Sequence, residues 1–166
     1  ERIVTVTGDA VNDPRNFYVR IGMNYKDLIE EAGGFKTEPE KVVSGGPMMG
    51  FALFDLNVPT TKTASALLCM TKDEVSAMEP SPCINCGKCA EVCPSRLIPK
   101  KLAVCANHGD EEGFMANYGM ECVECGCCSY VCPAKRNIVQ RNKMAKTLLR
   151  NYQIEKKKRE EAQKNG

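Results

Sequence analysis

The sequence predicts an α+β chain in two parts, a small strand-and-helix unit followed by a cysteine-rich helical unit. Three observations carry this. Residues 2–7 alternate in burial preference and are rich in β-branched side chains, as a half-buried strand requires. Ten of the eleven cysteines lie after Cys69. Beyond them, Ile138, Ala145, Leu148, Leu149 and Tyr152 recur at helical spacing.

Taken in order, Arg2–Thr7 reads as a first strand, Gly8–Pro14 as a turn, and Phe17–Ile21 as a second strand. Asn24 suits the N-cap of a helix over Tyr25–Ala32, with Leu28, Ile29 and Ala32 on one face and Gly33-Gly34 ending it. Lys41–Ser44 and Ser65–Met70 are further strands, and the glycine-rich Gly45–Gly50 between them reads as a loop of tight turns. A linker with prolines at 80 and 82 follows, and the boundary falls near Lys72–Glu79. Pro99–Asn107 and Asp110–Tyr118 read as two short helices, with Pro99 suited to a first turn. The C-terminal helix is expected to fray beyond about Lys156. The resulting divisions are 1–72, 73–150 and a basic end over 151–166.

Composition excludes several classes. The 166 residues are 43% hydrophobic with a formal net charge of +2, so the chain is globular and carries no strong overall field. The total hides a division. Residues 135–166 balance at +8 and the remainder at −6. Nucleic-acid binding is not expected, because the basic end has one aromatic, Tyr152, and no stacking platform. Lys156-Lys157-Lys158-Arg159 could meet anionic headgroups or an acidic partner, or be a solvated helix end. No apolar run approaches the roughly 20 residues of a spanning helix. An odd cysteine count, absent from the front of the chain, does not describe a disulfide framework.

The cysteines form an internal repeat. Cys83, Cys86, Cys89 and Cys93 with Pro94 make one copy, and Cys122, Cys125, Cys128 and Cys132 with Pro133 the other. Both read C-x2-C-x2-C-x3-C-P, a ligand run for a [4Fe–4S] cluster. Three closely spaced thiolates converge on three corners of a cube, and Gly87 and Gly126 fit a place where the backbone passes close to the core. The fourth cysteine serves the other cluster in two-cluster proteins. The expected sets are therefore Cys83, Cys86, Cys89 and Cys132 for one cluster, and Cys122, Cys125, Cys128 and Cys93 for the other. Folding should depend on the metal. Structural zinc is the rival, although it needs only two C-x2-C knuckles per site and has no use for the trailing proline.

Three cysteines remain. Cys69, in a strand, and Cys105, on a helix, read as buried small residues, and Cys127 as a small residue beside a cluster that could also replace a neighbour as ligand. His108 reads as a surface residue before Gly109. Gly45–Gly50 matches neither G-x-G-x-x-G nor a phosphate loop. No nucleophile–base or carboxylate pair stands out, so no complete catalytic site is expected in this chain. Electron transfer is the chemistry left.

Thr7-Gly8-Asp9-Ala10-Val11, Leu28–Phe35 and Ser44–Gly50, together with the repeat, resemble the C-terminal part of the Rnf-complex C subunit. That family belongs to membrane-bound ferredoxin:NAD+ oxidoreductases that couple electron flow to ion translocation. The resemblance implies a soluble-ligand-binding β-grasp (SLBB) domain over 1–72 and an α-helical dicluster ferredoxin domain after it. It also implies other Rnf-type subunits as partners, an iron–sulfur protein among them, and peripheral attachment at the cytoplasmic face of the membrane. FMN and NAD(H) are expected only in the family's larger N-terminal region, to which nothing here corresponds, or in the wider complex. The chain thus reads as one piece of a longer polypeptide. A cobalamin-reductase relative shares the SLBB–dicluster plan with a different acceptor. A zinc-bound interaction module and a redox sensor acting through Cys127 are rivals of another class.

Overall fold

The computed structural model describes residues 1–75 and 77–164, with backbone alone at 156, 159, 160 and 162–164. It divides into two units, Glu1–Met78 and Glu79–Gly166.

The first unit is a five-stranded sheet with one helix. Its elements are β1 (Arg2–Thr7), β2 (Arg15–Val19), α1 (Tyr25–Glu31), β3 (Lys41–Ser44), β4 (Phe51–Leu53) and β5 (Ala66–Met70). The strand order is β2-β1-β5-β3-β4. β1 and β5 run parallel at the centre, while every other pairing is antiparallel. Alternation along β1 explains the layer, because Val4 and Val6 are completely buried and Ile3 is exposed. Leu28, Ile29 and Tyr25 of α1 pack with them, and the Tyr25 hydroxyl meets Ser44 Oγ at 2.8 Å inside the unit.

Several local expectations shift. β2 lies earlier than Phe17–Ile21, since its pairing with β1 stops at Arg2↔Val19. Asn24 takes the N-cap position, but its side chain makes no cap bond and instead donates to Asn57 Oδ1 at 3.2 Å. β4 escaped the sequence reading because its exposed Phe51 and Ala52 show no alternation. Gly45–Gly50 forms the turn of the β3–β4 hairpin, where the Gly50 N–H donates to the Gly46 carbonyl at 2.8 Å. A Cβ on Gly50 would lie 2.6 Å from that oxygen, so the hairpin itself demands this glycine.

The second unit is helical: α2 (Lys88–Glu91), α3 (Pro99–His108), α4 (Glu111–Ala116), a 3-10 turn at Gly119–Glu121, α5 (Cys127–Tyr130) and α6 (Ile138–Lys164). Asp110 caps α4 by accepting from the Gly113 N–H at 2.8 Å. α3 and α6 pack against each other, and Leu97, Leu102, Cys105, Phe114 and Leu149 form one apolar cluster there. α6 continues through the expected fraying point to Lys164. Its buried stripe is Ile138, Val139, Asn142, Lys146 and Leu149, whereas Leu148 and Tyr152 are exposed. The apolar periodicity thus picked part of the wrong face, because two polar side chains occupy the middle of the right one.

Candidate metal centre

The two cysteine motifs fold as the same structure twice. In each copy the residue before the second cysteine has a left-handed backbone (Asn85, φ 58°; Glu124, φ 57°), as does the third residue after the fourth cysteine (Arg96, φ 52°; Lys135, φ 50°). Gly87 and Gly126 follow the second cysteines at φ 80° and 83°, opening α2 and α5. These glycines are needed for their backbone angle. At Gly87, which lines the first cavity, an added Cβ would meet no protein atom within 4 Å, so no neighbouring protein group adds a steric demand there.

Each motif then frames a cavity closed by the other. Cys83, Cys86 and Cys89 line a first cavity of about 200 Å3, and the fourth cysteine on its wall is Cys132, from the second motif. Cys122, Cys125 and Cys128 line a second, narrower cavity of about 20 Å3, and its fourth cysteine is Cys93, from the first motif. Packing repeats the crossing, since Cys89, Cys128 and Cys132 all lie against a cluster of Ala103, Ile138 and Val139. The crossing brings together residues far apart in sequence through the pairing of α3 with α6.

The electrostatics differ between the cavities. Lys88, Lys100 and Arg136 line the first, and its Cys83 and Cys86 are exposed. The second is drier. Burial pushes the Cys128 thiol up to about 11, and burial also raises Cys122. The Leu97 N–H already points at Cys93 Sγ, 3.4 Å away.

Donor chemistry and spacing fit an iron–sulfur cluster better than zinc. Each cavity presents four cysteine sulfurs drawn from the C-x2-C-x2-C-x3-C-P runs, the donor set of a [4Fe–4S] cluster, whose trailing proline zinc does not need. The first cavity has room for such a core, whereas the second, at about 20 Å3, is closed down around its cysteines.

The remaining candidates lie elsewhere. Cys69 is wholly buried in β5, with its thiol pushed up to about 11 by burial, and Cys105 is buried on α3. Cys127 opens α5 and lines neither cavity. A hydrogen bond with Cys125, reinforced by burial, raises its thiol. His108 ends α3, exposed. Lys157 and Lys158 are exposed, while the side chains of Lys156 and Arg159 lie outside the described ones. Among the described residues, no helix is long and apolar enough to cross a membrane. The sequence reading missed Asn142 and Lys146, both buried on α6; Lys146 donates to the Cys122 carbonyl at 2.5 Å and pairs with Glu124 at 3.0 Å.

Comparison with known proteins follows the same division. Residues 3–52 match the SLBB domain family and residues 82–136 the 4Fe-4S dicluster domain family. The chain is 46% identical over 146 residues to the C subunit of the Na(+)-translocating ferredoxin:NAD(+) oxidoreductase complex of Acetobacterium woodii, covering 88% of this chain and 33% of that protein. It is 41% identical over 155 residues to the C subunit of the ion-translocating oxidoreductase complex of Methanosarcina acetivorans, covering 93% and 34%. The chain is a relative of the Rnf-complex C subunit. A third such protein, the C subunit of the proton-translocating ferredoxin:NAD(+) oxidoreductase complex of Clostridium ljungdahlii, is 46% identical over 104 residues, 63% of this chain and 23% of its own length. The chain spans about a third of the length of the Acetobacterium and Methanosarcina proteins. Its own plan is an SLBB domain followed by a dicluster domain, joined in one α+β chain.

Proposed function

We propose that this chain is the electron-relay part of an Rnf-type C subunit, holding two [4Fe–4S] clusters by crossed ligation. Cys83, Cys86, Cys89 and Cys132 hold one, and Cys122, Cys125, Cys128 and Cys93 the other. The observation that carries the reading is that each cavity is framed by three cysteines of one motif and the fourth of its twin. The bound clusters would supply one-electron carriage, chemistry that no amino-acid side chain here offers. The protein's own part is to fix the eight thiolates, to keep water from the second site, and to place Lys88, Lys100 and Arg136 beside the first, where they offset a cluster's negative charge.

In this reading the SLBB unit covers 1–72, the dicluster unit 73–150, and 151–166 is a basic helical end. Electrons pass between NAD(H) or flavin, bound outside this chain, and an iron–sulfur partner subunit. The names of the relatives support ferredoxin and NAD+ as the terminal couples and a translocating complex as the setting. Attachment is peripheral, on the cytoplasmic face, through the other subunits.

Anaerobic purification with iron, sulfide and zinc counts, followed by EPR after reduction, tests the reading. About eight irons per chain and two interacting reduced-cluster signals are expected. Colourless protein containing zinc would overturn it in favour of a structural module.

A further inference from the structure

The two cysteine-lined cavities correspond position for position, with a shift of 39 residues between Cys83 and Cys122. Cys132, Pro133, Ala134, Arg136 and Ile138 close the first. Their counterparts under the same shift, Cys93, Pro94, Ser95, Leu97 and Pro99, close the second. Helices α3 and α6 are counterparts too, each beginning six residues after the fourth cysteine of its motif. Several exchanges break the likeness, and one of them places a polar side chain in the interior. On α3 the first cavity is lined by Lys100, Ala103 and Val104, and the position on α6 equivalent to Ala103 is Asn142.

Asn142 is completely buried, and neither its Nδ2 nor its Oδ1 has a hydrogen-bonding partner among the described residues. Leaving a buried amide unpaired is costly, so a partner belongs to the working protein. Its neighbours on the helix fix the direction. Val139, one turn earlier, lines the second cavity. Lys146, one turn later, takes the carbonyl of Cys122. Asn142 therefore stands between two residues that touch the second cysteine set, where sulfur is the acceptor that cluster binding would bring.

Resting on the two-cluster reading, we propose that Asn142 donates its amide N–H to sulfur at the Cys122–Cys125–Cys128–Cys93 site and raises the reduction potential there. A donor aimed at sulfur favours the more negative, reduced state. Ala103 offers no such amide, and the groups that face the first site are instead Lys88, Lys100 and Arg136. The repeat thus builds two sites of the same ligand set with different donors beside them.

The test is a potentiometric EPR titration of the anaerobically purified full chain and of Asn142→Leu, with iron and sulfide counted in each. The variant is expected to lower one midpoint and leave the other in place. The reduced-to-oxidised ratio at that cluster would fall roughly three- to tenfold at a fixed potential, tenfold being ~59 mV for one electron. Two unchanged midpoints in a variant with its full iron overturn the proposal. Should Asn142→Leu fail to load, Asn142→Ala, which copies the residue at 103, replaces it under the same criteria. Independently of any substitution at 142, selective 15N labelling of asparagine should give a hyperfine coupling on one reduced cluster that survives Asn85→Ser. No such coupling overturns the proposal whatever the variants do. Absence of iron and sulfide from the unsubstituted chain would instead show the two-cluster reading to be at fault.

Discussion

The ammonium of Lys146 lies 3.0 Å from the carboxylate of Glu124, and the two join the middle of α6 to the loop between Cys122 and Cys125. The lysine side chain is 5% exposed and the glutamate 28%, so the pair is unequal. Removing the glutamate strands a buried charge, whereas removing the lysine leaves a carboxylate that water can reach. Glu124→Gln is expected to cost about 3 kcal/mol in chemical denaturation of the holo-chain and Lys146→Met about 1–2 kcal/mol. Equal costs would mean that the ion pair is not what holds the loop.

Crossed ligation makes a prediction that simple ligation does not. Cys132→Ser and Cys83→Ser should abolish the same EPR species, and Cys93→Ser and Cys122→Ser the other. Each variant should retain about four irons. If Cys132→Ser instead removes the species lost in Cys122→Ser, each motif holds its own cluster.

The thiols outside the two cavities should be dispensable for iron. Cys105→Ala is expected to leave the iron count unchanged and to cost about 1 kcal/mol of stability, as for a small truncation in a packed cluster. Cys127→Ser is likewise expected to keep full iron and the same rate of bleaching in air. Slower bleaching would give Cys127 a part in redox sensing.

Gly8 combines φ +122° with a site where a Cβ would lie 1.9 Å from the carbonyl oxygen of Cys69. Gly8→Ala should therefore push β1 from β5 and lower the stability of the first unit by about 3 kcal/mol. Gly22, at φ +97° with open space around it, is the control. Gly22→Ala should cost about 1 kcal/mol. Hydrogen exchange of peptides from residues 1–72 would read both.

Acid should loosen that same junction. The Thr71 hydroxyl and N–H both donate to the Asp9 carboxylate, the N–H at 2.9 Å, and they hold the carboxyl below its ordinary 3.8. Since the folded value is the lower one, the contribution is complete above the unfolded value and disappears as pH falls through the folded one. Protection of the β1 and β5 amides is thus expected to drop below about pH 3.8, and Asp9→Asn should flatten that dependence.

How much of this was legible in the sequence depends on the kind of signal. β1 was readable to the residue because alternation and β-branching coincide with a buried face, and β3 because its adjacent valines, Val42 and Val43, are β-branched and both buried. The eight cavity cysteines were readable because their spacing is a chemical requirement repeated twice. β4 was not, since an exposed edge strand has no burial pattern to print on its residues. The true inner stripe of α6 was hidden for the opposite reason. Asn142 and Lys146 look like surface residues until the groups they face are known. A lysine whose partners are a carbonyl and a carboxylate carries no periodicity that a sequence could show.

The placement of Cys132 beside Cys83, Cys86 and Cys89 also bears on the order of biosynthesis. With crossed ligation, the first motif leaves the ribosome carrying only three of the four thiols that its own cavity needs. It has to wait until α4, the 3-10 turn and α5 have been made. The second motif finds its missing corner, Cys93, already waiting. Neither cavity is complete until Cys128 and Cys132 emerge within a few residues of each other, so both become ready for cofactor delivery at nearly the same moment. A nascent chain stalled anywhere before that point offers the delivery machinery only unfinished sites.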